Sequence, residues 1–326
     1  MEICLQVLFL AIGFVLLIKG ADLFVDGAAG LAEKLKIPQL IIGLTVVAMG
    51  TSMPEAAVSI SAAVKGNADI TIGNILGSNI LNILIILGLS ATITPLAVKP
   101  STIRYELPFL ICTTAILFIQ GLDGAVSFAD GILQLLLFAA YLACLLLTTV
   151  KRPSMPEVAL SAKDCESSMV PSGHSVNLLN QSPWRLLFFT AAGLVIIIAG
   201  STMTVESASA IARILGISER VIGLTVVALG TSLPELFTSV TAARKGNADI
   251  AMGNIVGSNI FNLLFVIGVS SVISPVPYSA SFRFDHIISG VAALFLLACC
   301  TKKQRLSRWH GILMLFGYAA YFIYLL

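Results

Sequence analysis

Two glutamates of this chain each follow a proline inside a long apolar segment. Residues 50–55 read GTSMPE, and residues 230–235 read GTSLPE. Proline has no N–H for the carbonyl four residues back, so Pro54 is predicted to break its helix and free the Gly50 carbonyl. A charged side chain at the centre of a membrane helix costs about 2.5–3.5 kcal/mol. Because residues 37–64 and 221–243 around the two glutamates contain no Lys or Arg, the partner left for Glu55 or Glu235 is a mobile cation or a proton.

A second polar pattern is predicted to add oxygen atoms to the same region. Residues 77–82 read GSNILN, and residues 257–262 read GSNIFN. Ser78 and Asn82 are four residues apart and therefore share one helix face, as do Ser258 and Asn262. Each copy thus offers a hydroxyl and an amide oxygen beside a carboxylate.

These groups are hard oxygen donors, the ligand class that Ca²⁺ prefers, in shells of about six to eight. Two bidentate glutamates and the backbone carbonyls of Thr51 and Thr231 would supply six ligands. No His or Cys joins the cluster, which argues against zinc and copper. Small polar residues also serve helix packing in membranes. The sequence leaves ligation and packing both open for four positions: Ser52, Ser232, Asn79 and Asn259.

The elements that must position these residues are predicted membrane helices. The chain is 57% hydrophobic and 11% charged, with a mean hydropathy of +0.98, more apolar than a soluble core of 326 residues requires. Uniformly apolar runs of this length indicate spanning helices rather than alternating barrel strands. Ten runs are predicted to span: 4–33, 38–64, 69–95, 103–120, 128–150, 185–215, 218–243, 249–274, 284–301 and 309–326.

The ten helices divide into two copies of one unit. Residues 43–90 recur, with most positions unchanged, at 223–270. Five helices per copy is an odd number, so the second copy must enter the membrane inverted. Lys and Arg concentrate in the odd-numbered loops, which predicts that those loops are cytoplasmic and that both termini lie outside. The prediction is an all-α membrane protein with two inverted five-helix repeats, 1–150 and 185–326, joined by a flexible cytoplasmic linker, 151–184.

Several other classes of protein find no support in the sequence. The six cysteines show no metal-binding spacing, and no nucleophile–base arrangement, phosphate loop or cofactor motif is present, so neither an enzyme nor a bound cofactor is predicted. Loop position accounts for the basic residues without nucleic acid, and no obligate protein partner is indicated. Asp22, Asp26 and Glu206 either line an approach to the site or lie at headgroup depth.

The paired GTSxPE and GSNxxN motifs, with GADLFVDGA at 20–28, resemble those of the sodium/calcium exchangers of the cation/calcium antiporter superfamily, over essentially the whole chain. The resemblance implies ten helices in inverted repeats, with the first and sixth helices sliding across the core. It implies that Glu55 and Glu235 ligate Ca²⁺ with the Thr51 and Thr231 carbonyls. It implies two sets of Na⁺ ligands, one in each half, with Asn82 and Asn262 at the middle. The sets are Ala48, Thr51, Glu55 and Ser78, and Ala228, Thr231, Glu235 and Ser258.

The resemblance also implies exchange of Na⁺ for Ca²⁺ at the plasma membrane, with three Na⁺ per Ca²⁺ and hence net current. Charge counting alone also allows two Na⁺. Both central asparagine positions lack the aspartate of potassium-dependent relatives, and GTSxPE differs from the GNxxE of proton-coupled relatives, so Na⁺ is the expected driving ion. The alternatives are a proton/Ca²⁺ antiporter, a passive cation channel and a non-transporting scaffold, the last of which leaves the glutamate pair unexplained.

Overall fold

The computed structural model describes residues 2–151, 181–216 and 228–325, which form helices and four two-residue strands. The first half begins with α1, Glu2–Lys34, and continues with α2, Gln39–Thr51, and α3, Met53–Val64. Helix α4 runs through Asp69–Leu81, a π-helical segment Asn82–Leu87, and Gly88–Ile93. Strand β1, Leu96–Ala97, helix α5, strand β2, Ala125–Val126, and helix α6, Phe128–Lys151, follow. Helix α5 joins the π-helical turn Thr102–Glu106 to Leu107–Gln120.

The second half repeats this order of elements. It contains α7, Pro183–Ile214, then α8, Ala228–Thr231, and α9, Leu233–Arg244. Helix α10, Ala248–Ile273, includes the π-helical segment Asn262–Val266. The remaining elements are β3, Val276–Pro277, α11, Phe282–Thr301, β4, Arg305–Leu306, and α12, Arg308–Leu325.

The described part of the chain has seven continuous helices that are long and apolar enough to cross a membrane: α1, α4, α5, α6, α7, α10 and α11. Helices α2 and α3 together form an eighth candidate, bent by 49°. The fold is therefore that of an all-helical, multi-pass membrane protein. Part of the seventh predicted run, and most of the predicted linker at 151–184, lie outside the described residues.

The two proline-containing helices are broken, as the sequence predicts. The breaks occur at Ser52, with φ −81° and ψ 7°, and at Ser232, with φ −90° and ψ 6°. Pro54 and Pro234 lie in the first turn of the following helix, where no backbone N–H is needed. The break thus precedes the proline, and places the glutamate in the first turn of a new helix.

Four short strands connect the two halves. Strand β1 pairs with β4, so that Leu96 faces Leu306, and β2 pairs with β3, so that Val126 faces Val276. Since β1 precedes α5 and β2 follows it, the two pairs lie at opposite ends of that helix. The equivalent segments β1 and β3 therefore also lie at opposite ends.

Helices α1 and α7 pack against each other along much of their length, through glycines. A Cβ atom at Gly20 would lie 2.8 Å from the backbone N of Ile197, and one at Gly193 would lie 2.7 Å from the Cα of Phe24. Only glycine permits so close an approach of two helices. At the centre of the molecule, by contrast, α10 is buried continuously from Ile250 to Phe261.

Candidate cation site

The helix breaks bring Glu55 and Glu235 together in the interior, where their exposed fractions are 1% and 0%. Each carboxylate accepts a hydrogen bond from the serine at the break of the other half. The Ser52 hydroxyl donates to Glu235 Oε1 at 2.8 Å, and the Ser232 hydroxyl donates to Glu55 Oε1 at 2.9 Å. The two halves therefore complete one site by exchanging equivalent contacts. Ser52 and Ser232, whose role the sequence left open, touch the carboxylates directly.

Four oxygen atoms at this site are buried and accept no hydrogen bond from the described residues. They are Glu55 Oε2, Glu235 Oε2, Asn82 Oδ1 and Asn262 Oδ1. A buried acceptor left without a partner costs about 1–3 kcal/mol, and more when it is charged. Two carboxylate and two amide oxygens, all from predicted ligand residues, fit a hard cation.

No basic side chain in the described part of the chain neutralises the two glutamates. The ion pairs there join Lys99 to Asp249 and Lys245 to both Asp22 and Asp26. None of these reaches Glu55 or Glu235. Two carboxylates without a cationic partner in a membrane interior require compensation from outside the protein, either by cations or by protons.

Asn79 and Asn259 orient the central amide oxygens. Asn82 Nδ2 donates to Asn259 Oδ1 at 2.9 Å, and Asn262 Nδ2 donates to Asn79 Oδ1 at 3.2 Å. The amides of Asn79 and Asn259 donate in turn to each other's backbone carbonyl, at 3.4 and 3.2 Å. These bonds leave the Oδ1 atoms of Asn82 and Asn262 free. Asn79 and Asn259 therefore join α4 to α10 and position the neighbouring asparagines.

The remaining predicted ligands lie around the breaks. Thr51 ends α2 and is fully buried, and its hydroxyl oxygen lies 3.1 Å from the Val47 carbonyl oxygen. The Ala48 carbonyl accepts from the Ser52 N–H at 3.1 Å and the Ser258 hydroxyl at 3.3 Å. Ser78 is buried on α4, while Ala228 and Thr231 begin and end α8. Ligation by these groups stays a prediction.

Two asparagines that the motifs did not single out donate hydrogen bonds to the backbone carbonyls of the two glutamates. Asn254 Oδ1 accepts from the Thr51 hydroxyl at 3.0 Å, while its Nδ2 donates to Ser239 Oγ at 2.8 Å and to the Glu235 carbonyl at 3.4 Å. Asn74 Nδ2 donates to Ser59 Oγ at 2.9 Å and to the Glu55 carbonyl at 3.3 Å. Both asparagines belong to a Gly-Asn dipeptide that is repeated at 73–74 and 253–254, so the repeat could have identified them.

Two further contacts link the outer helices to this core. The Ser201 hydroxyl of α7 donates to the Gly230 carbonyl, just before the second break, at 2.8 Å. The equivalent of Ser201 in the first half is Ala21, so the repeat pattern gave no signal. Lys245 Nζ lies 3.2 Å from Asp22 Oδ1 and 2.8 Å from Asp26 Oδ1. Asp22 and Asp26 therefore bind a lysine of the turn between α9 and α10.

Two broken helices that meet around buried carboxylates in a helical membrane protein are typical of secondary transporters. The chain belongs to the sodium/calcium exchanger protein family, whose profile matches residues 5–147 and 185–326. It is similar to the sodium/calcium exchanger MaX1 of Methanosarcina acetivorans, at 31% identity over 99% of both chains. It is also similar to the inner membrane protein YrbG of Escherichia coli, at 36% identity over 95% of this chain and 93% of that protein.

The fold matches that of a solved relative. The structure of the sodium-calcium exchanger NCX_Mj superposes with a TM-score of 0.82 at 32% identity, covering 97% of both chains. The family resemblance inferred from the motifs is therefore confirmed. Proteins of this family are transporters rather than enzymes.

Proposed function

We propose that this protein is an antiporter that exchanges Na⁺ for Ca²⁺ across the membrane at one shared site. The observation that carries the proposal is the set of four buried oxygens of Glu55, Glu235, Asn82 and Asn262 without hydrogen-bond donors. A Ca²⁺ ion matches the two negative charges of the carboxylates and prefers neutral and charged oxygens of this kind.

We propose the ligand set that the family resemblance implies, which the free oxygens of the two glutamates and the two central asparagines support. Glu55 and Glu235 bind Ca²⁺ together with the carbonyls of Thr51 and Thr231, at the ends of the broken helices. Na⁺ ions use the same carboxylates, with the carbonyl of Ala48 and the Ser78 hydroxyl in one half. In the other half they use the carbonyl of Ala228 and the Ser258 hydroxyl, while Asn82 and Asn262 contribute at the centre. Ser52 and Ser232 hold the carboxylates through their hydroxyls. No resident cofactor is part of this mechanism.

We propose ten membrane-spanning helices in two inverted five-helix repeats, 1–150 and 185–326, with a flexible cytoplasmic linker at 151–184. The placement of β1 and β3 at opposite ends of α5 supports the inversion, as do the reciprocal bonds between Ser52 and Glu235 and between Ser232 and Glu55. The distribution of Lys and Arg supports cytoplasmic odd-numbered loops in the plasma membrane, with both termini outside.

Charge explains why the exchange is coupled. An empty site with two carboxylates is costly to move through lipid, so the site changes sides with cations bound. One Ca²⁺ or two Na⁺ would neutralise it, and a third Na⁺ would make each cycle carry net charge. We propose the electrogenic cycle, which the family resemblance favours over the neutral one.

The direct test is ⁴⁵Ca²⁺ uptake into proteoliposomes loaded with Na⁺, K⁺ or choline, with the pH clamped on both sides. The expected result is uptake that needs internal Na⁺, and that increases when valinomycin and K⁺ set an inside-positive potential which favours Na⁺ exit. Uptake that ignores Na⁺ but follows an imposed pH gradient would instead identify a proton/Ca²⁺ antiporter. Uptake without any counter-ion would indicate a channel.

A further inference from the structure

A second group of buried oxygens without partners lies away from the central site, between α5 and α6. It consists of Thr102 Oγ1 and Glu106 Oε2 at the start of α5 and the Tyr141 hydroxyl of α6. These side chains are exposed by 1%, 7% and 9%. The family motifs include none of the three, and the proposed transport mechanism does not use them.

Thr102 and Glu106 share a face of α5 with Phe109, the residue that packs on Tyr141 of α6. Thr102 and Glu106 begin and end a π-helical turn, where residues four apart share a face. Phe109, three residues further along this face, stacks on the Tyr141 ring with a centroid distance of 5.0 Å and an interplanar angle of 6°. Three buried oxygen atoms without partners therefore belong to the sides of α5 and α6 that meet at this ring stack.

The protein supplies this carboxylate with no counter-charge. Arg104, two residues away, is exposed and lies over the Tyr105 ring at 6.0 Å. Lys99, the basic residue just before α5, is paired with Asp249 at 2.6 Å. Within the described residues Glu106 forms no ion pair, although it is almost fully buried.

The second half contains the same carboxylate–tyrosine pair in a different state. Asp285 of α11 corresponds to Glu106, and Tyr321 of α12 corresponds to Tyr141. There the Tyr321 hydroxyl donates directly to Asp285 Oδ1 at 2.9 Å, and both residues are half-buried. The equivalent of Thr102 is Ser281, which is exposed and bonded to Ser279. In the second half the carboxylate and the tyrosine thus form a hydrogen bond with each other. In the first half Glu106 Oε2, Thr102 Oγ1 and the Tyr141 hydroxyl have no hydrogen-bond partner among the described residues.

We propose that Thr102, Glu106 and Tyr141 form a binding site for a monovalent hard cation such as Na⁺, separate from the central site. One carboxylate balances one positive charge, and carboxylate, hydroxyl and phenol oxygens are hard donors. A single cation would contact all three oxygens at once. A proton would neutralise Glu106 but could be shared with only one further oxygen, and a buried water alone would leave an ionised carboxylate uncompensated.

The test separates this site from the central one by disabling the latter. In a Glu55→Gln/Glu235→Gln background, equilibrium binding of ²²Na⁺ to the purified protein is measured against choline. We expect about one Na⁺ per chain to remain bound, and this binding to be lost on further substitution Glu106→Gln. Tyr141→Phe, which keeps the stacked ring, is expected to weaken it at least several-fold. Asp285→Asn is the matched control, because its tyrosine is already bonded, and it should leave Na⁺ binding unchanged.

Three outcomes would overturn the proposal. They are no specific Na⁺ binding in the double variant, binding that survives Glu106→Gln, or equal losses with Glu106→Gln and Asp285→Asn. If thermal unfolding of the double variant responds to Glu106→Gln and to pH but not to Na⁺, Glu106 is a protonated acid instead. Since the readout is binding with the central glutamates removed, failure here leaves the exchange function untouched.

Discussion

Removal of the Asn254 side chain is predicted to weaken Ca²⁺ binding, although Asn254 is not one of the proposed ligands. Its amide bonds the Thr51 hydroxyl at 3.0 Å and Ser239 Oγ at 2.8 Å, with a longer bond to the Glu235 carbonyl at 3.4 Å. Asn254→Ala removes the two short bonds, each worth about 0.5–1.5 kcal/mol net. The expected loss is therefore about 1–3 kcal/mol, divided between protein stability and the positioning of Thr51 and Glu235.

The loss appears mainly in Ca²⁺ affinity if Asn254 positions the ligands. Since about 1.4 kcal/mol is a factor of ten, the KM for Ca²⁺ should rise by roughly 150-fold at most, less the share lost as stability, while the maximal rate falls much less. The assay is the initial rate of ⁴⁵Ca²⁺ uptake into Na⁺-loaded proteoliposomes over a range of Ca²⁺ concentrations. Thermal unfolding of the same preparations reports the share lost as stability.

Asn247→Ala is the matched control for this experiment. Asn247 precedes the same helix, α10, and its side chain makes no capping hydrogen bond. The control should leave both KM and the unfolding temperature unchanged. An Asn254→Ala variant with unaltered KM and reduced stability would show that Asn254 serves packing alone, and would refute the positioning argument.

Three further changes have expected outcomes. Glu55→Gln should abolish Ca²⁺ uptake while the protein keeps its size-exclusion profile, and normal uptake would remove Glu55 from the site. Ser201→Ala removes the hydroxyl that donates to the Gly230 carbonyl, a loss of about 0.5–1.5 kcal/mol, and should raise the KM for Ca²⁺ by about tenfold at most. Ser201→Thr keeps a hydroxyl and should restore the original KM. Equal KM values in the two variants would argue against a role for this hydrogen bond. Lys245→Gln breaks the partly exposed pairs with Asp22 and Asp26, so it should lower thermal stability in dilute choline chloride but little at high ionic strength. A deficit independent of salt would contradict this last reasoning.

The sequence was sufficient to identify the glutamates and the helix breaks because both follow from local chemistry. A proline removes one backbone donor wherever it occurs, and a carboxylate in an apolar span needs a partner whatever surrounds it. Repetition then distinguished Glu55 and Glu235 from incidental acids. The exact position of each break, at Ser52 and Ser232, depends on how the next helix begins and was not predicted.

Contacts between the halves were beyond prediction from sequence. The Ser52 hydroxyl donates to Glu235, the glutamate of the other repeat. Which glutamate it reaches depends on how α2, α3 and α9 pack. The same holds for Lys245, which is distant in sequence from Asp22 and Asp26. Ser201 has no polar equivalent in the first half, so the repeat did not indicate its role. Asn74 and Asn254, in contrast, are repeated and could have been recognised.

The proposed exchange requires that the free oxygens of Glu55 and Glu235 bind Ca²⁺ and Na⁺ competitively. The most direct measurement is equilibrium ⁴⁵Ca²⁺ binding to the purified protein, titrated with Na⁺ at constant ionic strength and pH. We expect about one Ca²⁺ per chain, displaced by Na⁺ but not by choline, and lost in both Glu55→Gln and Glu235→Gln. Ca²⁺ binding that persists in either variant, or that Na⁺ does not displace, would contradict it.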